Sequence, residues 1–155
     1  MPDTMSPDQP HASRRHWMAV LARADADAIA ELLDASGGVP GHQRLRGPEA
    51  GLVMVRGRAG GGGAPFNLGE MTVTRCTVRT ETGFVGHAYV AGRDERQAEL
   101  AALADALLQD PAEQSRLLAQ MIEPLAAAQQ AARATTAAKA AATRVQFFAM
   151  RNMRA

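Results

Sequence analysis

At 155 residues, with 46% hydrophobic side chains, the chain is long enough for one domain with its own core and too short for two. Lysine and arginine number 17 against 16 acidic residues, a formal charge of +1, so the overall balance gives no electrostatic reason for a nucleic-acid partner. Cys76 is the only cysteine, which excludes an intrachain disulfide framework and suits a reducing cytoplasm.

The opening segment 1–13 is polar and Pro-containing. It lacks a signal peptide's apolar core, no window reaches the roughly 18 apolar residues of a membrane span, and the expectation is a disordered tail on a soluble protein. From Arg14 to Ala24 the spacing of Trp17, Val20, Leu21 and Ala24 predicts a helix. Asp25 or Asp27 can cap a second one bearing Ile29, Leu32 and Leu33. Ser36-Gly37-Gly38-Val39-Pro40-Gly41 then breaks the helical pattern. Between 43 and 91 β-branched and aromatic residues alternate with Gly-rich connections, predicting four strands at 43–46, 52–58, 71–80 and 84–91. The connections are too short for parallel crossovers, so the sheet is expected to be mainly antiparallel.

Asp94 with Gln97 three residues on forms a capping pattern ahead of Leu100, Leu103, Ala104 and Leu107. Asp110-Pro111-Ala112-Glu113 opens the next helix, ahead of Leu117, Met121 and Ile122. Pro124 starts or kinks a last helix running through Ala126 to Thr143. The fold class is therefore α+β: short N-terminal helices, a four-stranded sheet and a helical C-terminal half, with 14–124 as one domain. The segment 125–155 is a long Ala-rich helix that either packs very closely on something or projects into solvent. It ends on Val145, Phe147 and Phe148, a concentration of apolar area that reads as a partner-docking element or as a return to the chain's own sheet.

The segments that carry polar chemistry are few. Gly57-Arg58-Ala59-Gly60-Gly61-Gly62-Gly63 offers backbone amides and a guanidinium to an anion, yet no Lys-Ser/Thr follows and a strand stands where a helix N-terminus is required. A flexible hairpin connection is the simpler reading of it. Gly92-Arg93-Asp94 gathers a turn, a cation and a capping carboxylate where a strand meets a helix, either an anion site or a plain cap. His87 and Tyr89 share one strand face, with Arg75 within reach on a neighbouring strand. That patch can bind a phosphate or a partner carboxylate, or it is a solvated sheet face. His11, His16, His42 and His87 are scattered without metal-ligand spacing, and Cys76 falls mid-strand, where a buried thiol is inert.

Arg15-His16-Trp17-Met18-Ala19-Val20-Leu21-Ala22, Glu49-Ala50-Gly51-Leu52-Val53, Gly57-Arg58-Ala59-Gly60-Gly61 and Phe66-Asn67-Leu68-Gly69-Glu70 follow one another in the first half. Thr72-Val73-Thr74-Arg75-Cys76, Gly86-His87-Ala88-Tyr89-Val90-Ala91-Gly92-Arg93-Asp94, Ala102-Leu103-Ala104-Asp105-Ala106-Leu107, Ile122-Glu123-Pro124-Leu125 and Arg144-Val145-Gln146-Phe147-Phe148 continue the series. In this order, over roughly residues 14 to 150, they resemble the PhnG family.

The resemblance implies an accessory subunit of the carbon-phosphorus lyase core complex, a hetero-oligomer with I, J and H subunits that degrades alkylphosphonate under phosphate starvation. The implied step transfers the ribose 5-triphosphate part of MgATP to the phosphonate and releases adenine. An iron-sulfur cluster and S-adenosylmethionine belong to a different subunit, since one cysteine cannot ligate a cluster. The expected neighbour is the I subunit, with Trp17, Val145, Phe147 and Phe148 as docking side chains. Arg58, Gly61, Arg75, His87, Tyr89 and Arg93 are the candidates for phosphate or phosphonate contact. Two alternatives stay open: that the chain itself binds nucleotide in the same step, or that it is a freestanding small-ligand binding protein.

Overall fold

The β-branched segment folds into a single antiparallel sheet in the order β1-β2-β3, formed by β1 (His42–Arg58), β2 (Pro65–Thr80) and β3 (Val85–Ala91). The computed structural model describes residues 9–145. Before the sheet come α1 (Gln9–Leu21) and α2 (Ala26–Ala35); after it come α3 (Glu95–Leu108), α4 (Pro111–Leu117) and α5 (Glu123–Ala142). The first helix begins ahead of the expected start at Arg14, and residues 1–8 of the expected tail lie outside the described residues.

Three strands replace the expected four, because 43–46 and 52–58 are parts of β1 and the Gly47–Gly51 stretch is not a chain reversal. Gly47 takes φ +68, and the pairing with β2 shifts between Arg44 and Arg46 and again between Arg46 and Glu49. A Gly-Pro pair interrupts a ladder; bulges absorb that interruption as well as a turn does, and the strand bends without ending. The same hairpin lengthens β2, which starts at Pro65 and carries Phe66 to Glu70 opposite Met54 to Gly57. Its tip is a short 3-10 turn, Ala59–Gly61.

One face of the sheet is covered. Thr74, Cys76, Val78, Ala88 and Val90 are buried under α3, whose own Ala98, Ala101, Ala102, Leu103, Ala104, Ala106 and Leu108 are buried with them. Small residues on α3 let the helix backbone come close, and at Gly86 even a methyl group would overlap Ala102 O and Ala106 N. Trp17, Leu21, Ile29, Leu33, Leu117, Met121 and Ile122 close the core from α1, α2, α4 and the following turn. Each large aliphatic side chain removed from water there contributes about 2 kcal/mol. Two expected caps form: Asp94 accepts from Gln97 N at 2.8 Å and Asp110 from Ala112 N at 2.9 Å. Asp25 stands at the N-cap of α2 without a side-chain bond.

A π-helical turn, Leu118–Ile122, joins α4 to α5 without a break. Pro124 has no N–H for the ordinary bond back to Gln120, and a widened turn is one way a helix passes such a residue. In α5 only Leu125 is buried, and Gln129 Nε2 donates to Val20 O at 2.8 Å. From residue 131 to 145 every position is exposed. Of the two expected outcomes for this helix, close packing or projection into solvent, α5 takes the second from residue 131 onward, and close packing by small residues is found on α3. No helix among the described residues is long and apolar enough to cross a membrane.

Candidate functional site: the open face of the sheet

Strand alternation sends Arg75, Thr77 and Arg79 of β2 and His87 and Tyr89 of β3 away from α3, onto the uncovered face. Antiparallel register then sets Arg75 opposite Tyr89, Thr77 opposite His87, and Glu49 on the far side of Arg75. Arg75 Nε donates to Glu49 Oε1 at 2.7 Å and its Nη1 reaches the Tyr89 hydroxyl at 3.4 Å. Arg46 Nε donates to the same Glu49 oxygen at 2.7 Å. These guanidiniums, Arg46 first and Arg75 second, hold the Glu49 carboxyl below the usual carboxylate range. His87 Nδ1 lies 3.1 Å from Thr77 Oγ1.

The structure thus brings Arg75, His87 and Tyr89 together on one face. Arg58 and Gly61 stand apart from them, at the hairpin tip. Arg58 pairs with Pro65, ten positions along β2 from Arg75, a separation of roughly 30 Å in an extended strand. The Arg58 Nη1 donates to Gly63 O at 3.0 Å, and Gly61 takes φ +79 in the turn. Arg93 is exposed between β3 and α3, next to the capping Asp94. Cys76 is buried, and burial pushes its thiol up; a raised thiol is a poor nucleophile.

Trp17, expected at a partner surface, is buried in the chain's own core, 3% exposed. Its indole N–H donates to Asp105 Oδ1 at 2.8 Å, so it is not available for docking. Val145 is 68% exposed, while Phe147 and Phe148 lie outside the described residues. Among the described residues no group of three or more His, Cys, Asp or Glu side chains could hold a metal ion.

Sequence reasoning overlooked Arg46, Glu49 and Thr77, which complete the network around Arg75 and His87. It also overlooked a charge asymmetry. Residues 42–80 hold six arginines (Arg44, Arg46, Arg56, Arg58, Arg75 and Arg79) against two glutamates, Glu49 and Glu70. That is a local surplus of four, hidden by the near-neutral total. A count by segment finds it without any structure.

The fold and this face define a class: an α+β protein whose antiparallel sheet is packed by helices on one side and presents a basic, hydrogen-bonded surface on the other. Across residues 12–152 the chain matches the model of a family described as phosphonate metabolism protein PhnG. A relative from Rhizobium meliloti (strain 1021), the alpha-D-ribose 1-methylphosphonate 5-triphosphate synthase subunit PhnG, is 48% identical over 145 residues, covering 94% of this chain and 92% of its own length. The chain belongs to the PhnG family.

Proposed function

We propose that the chain is a subunit of ribose 1-methylphosphonate 5-triphosphate synthase, working in the cytoplasm within the carbon-phosphorus lyase core complex. The observation that carries this reading is the 48% identity to a subunit of that synthase, spread over nearly the whole of both chains. The I subunit is the most direct neighbour, with J and H in the same assembly. The reaction breaks the bond between adenine and ribose C1′ of MgATP and forms a bond from that carbon to a phosphonate oxygen. Its substrates carry several negative charges, which a surface with surplus arginine attracts.

Arg75, His87 and Tyr89 are the first candidates for phosphate or phosphonate contact, and Arg93 is a separate one. Arg58 and Gly61 are candidates only for a ligand presented to the hairpin tip. The solvent-directed α5 and exposed Val145, leading toward Phe147 and Phe148, support a docking role for the C-terminal arm. The iron-sulfur cluster and S-adenosylmethionine of the later cleavage step sit in another subunit.

Co-expression with the I and H subunits tests the assignment. The chain is expected to co-elute with the I subunit at micromolar concentration. Separate elution of the chains would contradict the assignment, and tight MgATP binding by the isolated chain would shift the nucleotide site onto it.

A further inference from the structure

β3 is the last strand of the sheet, so one of its edges faces no other strand. Gly92 N donates to Thr72 O and Thr80 N to Phe84 O, both at 2.9 Å, which turns the even-numbered backbone groups from Phe84 to Gly92 toward β2. The odd-numbered ones point outward. The protein covers the first half of that outer edge itself: Val85 O accepts from Gln109 Nε2 at 2.7 Å, and His87 N donates to Asp105 Oδ2 at 2.9 Å. In the second half, among the described residues, no other segment bonds His87 O or the N–H and C=O of Tyr89 and Ala91. Beside this open half lies a groove of about 230 Å³ between β3 and α1, lined by Met18, Ala19, Ala22, Tyr89 and Ala101. Arg14 and Trp17 meet Asp105 beside His87, while Ala22 O and Ala24 O accept from Gln97 in the first turn of α3, just past the end of β3. Hence α1 runs alongside β3 in the same direction. Arg15 precedes Met18 and Ala19 by three and four positions, on the same helical stripe, and stands at the His87 end of the groove. Arg14 is engaged by Asp105. Arg15 is exposed, and no described carboxylate pairs with it.

We propose that the open half of the β3 edge takes an extended segment of a different subunit as a fourth strand; the proposal rests on the subunit reading above. Backbone donors and acceptors that repeat at every second residue are matched by an extended backbone, which bonds them all at once. Directly opposed residues share a face, so the added side chain opposite Ala88 enters the groove and is apolar. The one two positions away, opposite Gly86, approaches Arg15 and is acidic. A second copy of this chain is the poorer occupant. Pairing two β3 edges lays α1 against α1, and from Gln9 to Ala24 the chain carries Arg14, Arg15 and Arg23 with no acidic residue; like charges oppose that contact. So short a ladder also covers far less than the roughly 1,200–2,000 Å² of a stable interface, and serves as one anchor within a larger subunit contact. The outer edge of β1 is a worse template, because Pro48 and three register shifts break its repeat.

Residue-resolved hydrogen–deuterium exchange of the full chain, free and in the complex co-purified with the synthase subunits, tests the edge. The Tyr89 and Ala91 amides are expected to exchange rapidly in the isolated chain and at least about tenfold more slowly in the complex. Ala91→Pro deletes an outward N–H and leaves the bonds to β2 in place, and Arg15→Glu reverses the charge at the end of the groove. Each is expected to weaken assembly about tenfold with a circular-dichroism melt like that of wild type; if either variant melts early, exchange in the wild-type complex decides. Equal exchange of both amides in free and bound chain, or wild-type assembly by Ala91→Pro, overturns the added strand. Wild-type assembly by Arg15→Glu overturns its acidic character. Amides already slow in the free monomer, or a dimer of the isolated chain that Ala91→Pro dissolves, overturn the choice of occupant. If wild type forms no complex, the subunit reading falls and takes this proposal with it; a complex in which Tyr89 and Ala91 stay unprotected sinks the added strand alone.

Discussion

Asp105 has no solvent exposure and sits on α3, between Ala104 and Ala106. Arg14 reaches it through Nε at 3.1 Å and Nη2 at 2.8 Å, Trp17 through its indole at 2.8 Å, and the His87 backbone N–H at 2.9 Å. One carboxylate therefore ties α1 and α3 to the outer edge of β3. Removing it leaves buried donors unpaired, and Asp105→Ala is expected to cost about 3–5 kcal/mol in urea unfolding. The sequence held a clue, since a buried Trp needs an acceptor for its N–H and Asp105 is anomalous on an apolar stripe. Its partners, however, come from positions far apart in the chain, which periodicity does not connect. Glu99 makes a second polar link, accepting from Arg44 Nε at 2.8 Å and lying 2.9 Å from His42 Nε2. Chiefly the Arg44 hydrogen bond, and then His42, keeps its carboxyl below the usual range. The unfolded chain binds that proton more readily, so the contribution is present above the ordinary carboxylate value and is lost as pH falls through the lowered one. Melting temperatures of wild type should thus drop more steeply below about pH 4.5 than those of Glu99→Gln; parallel curves would contradict this.

At the scale of elements, the contact of α3 with β3 sets the fold's tolerance. Gly86→Ala drives a methyl into helix backbone atoms that have no rotamer to yield, and a loss of about 2 kcal/mol is expected in the same urea assay. Gly51→Ala, with nothing near an added methyl, should stay within about 0.5 kcal/mol. Beyond Gln129, α5 is exposed and packs on no other described residue. Ala137→Glu, at an exposed position of α5, is therefore expected to move the melting midpoint by less than about 2 °C, while co-purification with the I subunit weakens. The helices were legible because their signals are local: the spacing around Trp17, the carboxylates of Asp94 and Asp110, and Pro111 at a first turn. The hairpin was legible only in part. Gly47-Pro48 announces a break in a ladder, and whether a bulge or a turn answers it depends on pairing with residues some thirty positions away. Where α5 goes was open for a similar reason, since an alanine face records closeness but not the neighbour it approaches.

Over the whole molecule, near-neutrality conceals a division of charge and of surface. The sheet carries the arginine surplus, the helices bury most of the apolar area, and two elements extend past the body: the β1–β2 ribbon and α5. A subunit that presents a basic face and two extended arms suits an assembly handling multiply charged substrates. The open-face trio was visible in the sequence because β-strand alternation is simple; the distance between that trio and Arg58 was not, because it depends on how long the hairpin is. The most direct test of the assigned function is reconstitution of the synthase from purified subunits with MgATP and methylphosphonate, following adenine release with and without this chain. Phosphonate-dependent adenine release and formation of ribose 1-methylphosphonate 5-triphosphate are expected only when the chain is present. The same product formed at the same rate without it would contradict the assignment.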